Sequence, residues 1–201
     1  MNDFEVIRRC NRAALALRDR HPDFYLPGIH VHPNFPEESC AELEEMHRRG
    51  VRWVGELVAY LMGYTGYCVP ELMPVWETAR DLGMVVNIHP AALEDAEALL
   101  NAFPTLKVVV AHLDSGAAGT RNRFDLIGRH ANAWLDLSGS GVFRWNVLRS
   151  GIDQVGREKF LFGTDFPICS PGMLLDGIFR EHLTDAERRA VLSENFLNLI
   201  G

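Results

Sequence analysis

Six side chains stand where apolar runs of the chain end: His30 and His32 in Gly28-Ile29-His30-Val31-His32-Pro33, Glu56 in Val54-Gly55-Glu56-Leu57, His89 in Asn87-Ile88-His89-Pro90, His112 in Val110-Ala111-His112-Leu113, and Asp165 in Gly163-Thr164-Asp165-Phe166-Pro167. Imidazole nitrogens and carboxylate oxygens suit zinc and other first-row divalent ions, and a catalytic site uses about three protein ligands plus an exchangeable water. His30 and His32 are two residues apart, so on an extended strand they face the same way. A lone histidine of this kind is more often a hydrogen-bonded structural residue. Repetition at equivalent places argues for a shared site. The expected cofactor is one divalent metal, zinc by ligand type, with His30, His32, Glu56, His89, His112 and Asp165 as candidate metal ligands. A bound ion of this kind lowers the pKa of its water to about 7 and polarises a carbonyl. Asp165 is then the expected proton shuttle, and His112 the residue that holds metal or steadies a developing oxyanion.

These residues need a frame that brings strand ends together. Apolar runs cover residues 25–31, 51–60, 84–88, 106–111, 134–137 and 160–162, and most are continuous, as in strands buried on both faces. Between them lie helical segments: Pro36-Glu37-Glu38 leads through Leu43 and Met46 to Gly50, Pro70-Glu71-Leu72 through Trp76 to Gly83, and Leu93 runs to Ala102 before Pro104. A leading helix is expected from about Phe4 to Arg18, and a last one from the capping box Thr184-Asp185-Ala186-Glu187. Strand starts at Leu26, Trp53, Met84, Leu106, Trp134 and Phe160 recur every 22 to 31 residues. That beat predicts an α/β protein, a parallel (βα) barrel-like arrangement shortened to about six units, since a complete eightfold barrel takes about 250 residues. No composition shift divides the chain, so residues 1–201 are expected to form a single domain. In either βα architecture the functional groups lie at the carboxyl ends of the strands.

The composition excludes several roles. The 201 residues are 47% hydrophobic and 23% charged, with a formal charge of -7 and no blocks of like charge, so no nucleic-acid partner is expected. No apolar run approaches the roughly 18 residues of a membrane span, and the first residues lack a signal peptide's pattern, which points to no membrane association and a cytoplasmic location. Cys10, Cys40, Cys68 and Cys169 are scattered without a C-x-x-C, as reduced thiols would be. The only lysines, Lys107 and Lys159, precede their strands on the opposite rim, which excludes a metal-bridging carboxylated lysine or a lysine Schiff base.

The motifs Asn87-Ile88-His89, Val110-Ala111-His112, Leu135-Asp136-Leu137-Ser138 and Phe162-Gly163-Thr164-Asp165-Phe166-Pro167, with the ending Leu192-Ser193-Glu194-Asn195-Phe196-Leu197-Asn198-Leu199, resemble the amidohydrolase-related group of metal-dependent TIM-barrel hydrolases and decarboxylases. The resemblance runs from that family's third strand to its eighth. It implies that His89 and His112 correspond to the histidines ending strands five and six, and Asp165 to the aspartate ending strand eight. It also implies an H-x-H pair on the first strand, for which nothing upstream of Asn2 provides. His30-Val31-His32 aligns instead with strand three, either as a substitute ligand pair or as a neighbour of the site. Glu56 falls where relatives place a bridging group, and is read equally as a ligand or as an acceptor for Arg52 or backbone.

The activity this implies is hydrolysis of an amide, ester or lactone of a small molecule by a metal-activated water. The alternatives are metal-dependent decarboxylation of a small aromatic or enoic acid, and a non-catalytic metal-binding barrel remnant. Asp114 and Asp136 are read as supports of the site, and residues 61–68, rich in Gly and Tyr, as a loop over the rim or a plain connection. Unpaired sheet edges in a shortened barrel predict a homo-oligomer.

Overall fold

A computed structural model describes residues 3–201. The chain forms two compact units, one up to Val108 and one from Val109 onward.

The first unit opens with α1 (Phe4–Arg20), capped by the Asp3 carboxylate, which accepts from the Glu5 N–H. Its buried residues Phe4, Ile7, Asn11 and Leu15 recur at three- and four-residue steps and form one stripe. Asn11 is the polar member of that stripe. Its amide donates to the His30 carbonyl at 3.1 Å and accepts the His30 N–H at 2.8 Å, while the Glu42 carboxylate takes its other N–H at 3.1 Å. After β1 (Gly28–Ile29) and α2 (Pro36–Arg48) come β2 (Trp53–Leu57), the single turn α3 (Ala59–Met62), a 3₁₀ turn running into α4 (Met73–Asp81), β3 (Val85–Ile88) and α5 (Leu93–Ala102). Proline stands in the first turn of α2 and α4, where a missing N–H costs no helical bond. Strand β4 (Lys107–Val110) begins in this unit.

The second unit holds α6 (Ala117–Arg129), β5 (Ala133–Asp136), α7 (Val147–Val155), β6 (Phe160–Leu161), α8 (Pro171–Arg180) and α9 (Asp185–Arg189), which passes through a π turn at Ala190–Glu194 into α10 (Asn195–Ile200). The predicted capping box is present at α9: Thr184 and Glu187 bond each other's backbone N–H reciprocally. Within the first unit β1–β2 and β2–β3 pair parallel, and within the second β5–β6 pair parallel. Val85, Val86 and Ile88 of β3 and Val108 to Val110 of β4 are all buried, as strands covered on both faces require.

The α/β class and the six βα units are as the sequence predicts, with three local differences. Strands β1 and β6 are only two residues long, so His30 and His32 lie beyond the strand rather than on it. No helix is expected from the sequence at α6, α7 or α8: α6 follows Gly116 and α7 follows Asn146 in the left-handed region, neither a usual start signal, whereas α8 does open with the start signal Ser170-Pro171. The C-terminal helix is interrupted rather than continuous. The four cysteines are free thiols, and no helix among the described residues is long and apolar enough to cross a membrane.

Candidate metal centre

In the first unit, Glu56 lies on β2 and His89 directly follows β3. The parallel ladder continues one step past β3, the His89 N–H donating to the Leu57 carbonyl at 2.9 Å, and this brings the two side chains side by side. His89 Nδ1 meets Glu56 Oε1 at 2.8 Å. With the proton on Nδ1 donated to the carboxylate, the lone pair on Nε2 is the one presented to a ligand. Each side chain keeps 26% of its surface exposed, enough for an ion or substrate to reach it. Arg52 takes no part in this pairing, since its guanidinium donates to the His47 and Val51 carbonyls.

His30 is half-buried beside these residues. Desolvation holds its imidazole below the ordinary value, and the Glu56 charge opposes that shift. His32, expected as a ligand, is occupied otherwise. It is fully buried, its Nδ1 accepts the Asn34 N–H at 3.1 Å, its Nε2 bonds the Met62 carbonyl at 3.0 Å, and the Tyr64 ring meets it edge-on. Both ring nitrogens are committed, so His32 offers no lone pair to a metal. The reason is geometric: the two-residue alternation that would pair His30 with His32 applies on a strand, and β1 ends at Ile29.

In the second unit, His112 directly follows Ala111 at the end of the β4 run, in the left-handed region with φ 66°. Its Nδ1 lies 3.0 Å from the Ser138 carbonyl and 3.0 Å from Ser138 Oγ. Again Nδ1 is the committed nitrogen and Nε2 the presented one. Asp136, at the end of β5, secures the arrangement by accepting from the His112 N–H (3.3 Å), the Ser138 N–H (2.9 Å) and the Ser138 hydroxyl (2.5 Å). The next residue must be glycine. Gly139 has φ +62°, and a Cβ there would lie 2.6 Å from His112 Nδ1. Asp136 thus does orient a histidine, through a serine the sequence did not single out. Asp114 instead pins its own loop, accepting from the Gly116 N–H and from Arg123 Nη1 at 2.9 Å. Asp165 sits past β6 with φ 55°, its carbonyl closing a turn onto the N–H groups of Ile168 and Cys169. Among the described residues its carboxylate has no hydrogen-bond or ion-pair partner.

In the first unit Glu56 and His89 offer a carboxylate and an imidazole, and in the second His112 offers another imidazole, donor types suited to a divalent metal ion. Lys159 donates to the His130, Ala131 and Ala133 carbonyls around the start of β5.

A parallel βα protein with histidines and carboxylates at the carboxyl ends of its strands has the attributes of a metal-dependent barrel enzyme. The chain belongs to the amidohydrolase family, whose model matches residues 3–198. It is 23% identical over 224 residues to gamma-resorcylate decarboxylase of Polaromonas sp. (strain JS666 / ATCC BAA-500), an alignment that takes in 82% of this chain and 66% of that protein. The match spans just under two thirds of that relative's length. Among solved structures, 5-carboxyvanillate decarboxylase from Sphingomonas paucimobilis has a TM-score of 0.78 at 17% identity, covering 98% of this chain and 72% of that one. A dihydroxybenzoic acid decarboxylase from Polaromonas sp. JS666, with bound manganese and the inhibitor 2-nitroresorcinol, has a TM-score of 0.76 at 18% identity, covering 98% and 75%. At these identities the structural likeness establishes the fold.

The expected hydrolysis of an amide, ester or lactone is overturned by these relatives, which are named for removal of CO2. A fold does not fix its chemistry, so the strand-end motifs could not separate the two reactions.

Proposed function

We propose that the protein is a metal-dependent decarboxylase of a small aromatic acid. The observation that carries this reading is a carboxylate and imidazole donor set in a chain whose curated relative is named a gamma-resorcylate decarboxylase. Glu56, His89 and His112 would hold the ion, the two histidines through Nε2. Bound there, a divalent ion would supply positive charge that attracts and orients an anionic substrate. Manganese is the first ion to test, because a solved neighbour carries it, and zinc the second, because two imidazoles suit it.

The chain's own contribution is a proton at the right carbon. Decarboxylation breaks the bond between ring and carboxylate, CO2 leaves, and the electron pair left on carbon takes up one proton. Asp165 is the proposed donor of that proton: it stands past the end of β6, and its left-handed backbone is the kind of outlier that functional positions retain. His30, kept neutral at physiological pH by its burial, adds no second cation next to Glu56.

The test is CO2 release from 2,6-dihydroxybenzoate and 5-carboxyvanillate with manganese or zinc added, and again after chelation. Chelator-sensitive release supports the proposal. Stoichiometric metal without turnover of any aromatic acid would leave a metal-binding protein and no decarboxylase, and absence of metal binding would remove both.

A further inference from the structure

The hydroxyl of Tyr67 stands between the two main-chain segments that carry Glu56 and His89. Tyr67 is buried, with 1% of its surface exposed. Its Oη lies 2.5 Å from the Leu57 carbonyl, one residue after Glu56, and 2.9 Å from the carbonyl of His89 itself, and it accepts the Ala59 N–H at 3.2 Å. The Leu57 carbonyl also receives the His89 N–H at 2.9 Å. One phenol therefore closes a ring of hydrogen bonds that includes the backbone of His89 and of Leu57, the residue after Glu56.

Tyr67 is itself held from outside that ring. Asp95, in the first turn of α5, accepts the Tyr67 N–H at 2.7 Å and the Cys68 N–H at 3.1 Å, and the Trp76 indole donates to the Tyr67 carbonyl at 2.7 Å. The tyrosine-rich segment 61–68 is thus neither a lid nor a passive connection at this residue, because its side chain points inward and its backbone is tied to α5.

We infer that Tyr67 is a positioning residue for the metal donors: its hydroxyl, seated by Asp95, fixes the spacing of the β2 and β3 ends and so the alignment of Glu56 with His89. This rests on the reading that Glu56 and His89 hold a divalent ion. Tyr67→Phe keeps the ring and its packing and removes only the bridging hydroxyl. The two carbonyls and the Ala59 N–H then lose a common partner, and the 2.8 Å contact between His89 and Glu56 loses its brace. Outer supports of this kind change metal affinity by roughly 10- to 100-fold.

The experiment measures manganese affinity of the intact chain by titration, and the His89 Nδ1–H resonance of the metal-free chain by NMR, in Tyr67→Phe, Glu56→Gln and His89→Ala. The expected result is tenfold or greater weakening of manganese binding and a moved resonance in Tyr67→Phe, with binding lost in His89→Ala. A folded Tyr67→Phe chain with unchanged affinity and an unmoved resonance, beside loss of binding in His89→Ala, would overturn the positioning role and leave the metal reading intact; a lowered melting temperature alone would count the same way. If His89→Ala and Glu56→Gln bind manganese like the parent, the metal reading fails, and the resonance decides the positioning role by itself. Should Tyr67→Phe not fold, Asp95→Asn, which removes one of the two acceptors seating the loop, is judged by the same readouts.

Discussion

Gly139→Ala should damage the His112 side of the candidate centre far more than it damages the fold. Two effects act together. Gly139 has φ +62°, where a side chain costs about 1–2 kcal/mol, and the added Cβ would lie 2.6 Å from His112 Nδ1 and 2.7 Å from Cε1, where ordinary contact begins at 3.4 Å. The imidazole must retreat by most of an ångström, and its 3.0 Å bond to the Ser138 carbonyl cannot follow. Gly83 supplies the control. Its φ is +66°, and a Cβ there would meet nothing within 4 Å, so Gly83→Ala carries the backbone cost alone. The backbone cost corresponds to a fall of roughly 2–8 °C in melting temperature for a chain of this size. Both variants should show it, but only Gly139→Ala should weaken manganese binding, by roughly tenfold or more. The assay is a thermal melt in chelator paired with a metal titration of each variant. Equal metal affinity in the two variants would refute the claim that the glycine exists to seat His112.

Further outcomes follow from the same geometry. Asp165→Asn should abolish CO2 release while metal content, measured by elemental analysis, is retained, because the amide keeps the shape but has no acidic proton to give; surviving turnover would remove Asp165 from the chemistry. Asp136→Ala should lower metal affinity more than Ser138→Ala, since it removes three bonds around His112 whereas the serine variant leaves the Ser138 carbonyl on Nδ1, and titration of the two gives the order. The Glu187 carboxylate accepts from the Thr184 backbone and hydroxyl and from Arg149, which lower its pKa to about 2. Because the folded value lies below the unfolded one, its stabilisation is complete above the usual carboxylate range near about 4.3 and is lost as pH falls toward about 2. Denaturant melts of Glu187→Gln between those limits should therefore be flatter with pH than those of the parent chain.

The strand beat and the strand-end residues were legible because both depend on local patterns. A continuous run such as Val108, Val109, Val110 marks a buried strand whatever surrounds it, and the polar residue that ends the run marks the rim. What was not legible depends on partners distant in sequence. Glu56 was weighed as a partner for nearby Arg52, yet it pairs with His89, 33 residues on. Tyr67 read as one aromatic in a loop, and only its bonds to Leu57, His89 and Asp95 give it a role. Ser138 was missed for the same reason, although its place two residues after Asp136 at a strand end was an available signal. The H-x-H spacing misled because spacing carries orientation only while the strand lasts, and β1 stops one residue short of His30.

The contact between Asn11 and His30 has a consequence for how the chain guards itself. One side-chain amide gives and receives the two bonds that a facing peptide unit would exchange with a strand residue, so α1 supplies from a side chain what amounts to one rung of a ladder. A foreign extended segment seeking that rung must first expel a buried amide whose orientation Glu42 fixes. Unwinding α1 and uncovering the backbone at His30 are therefore a single event. Asn11→Asp would turn the donated bond into an acceptor facing a carbonyl and a second carboxylate, converting the latch into a wedge and leaving the backbone beside β1 open to other chains.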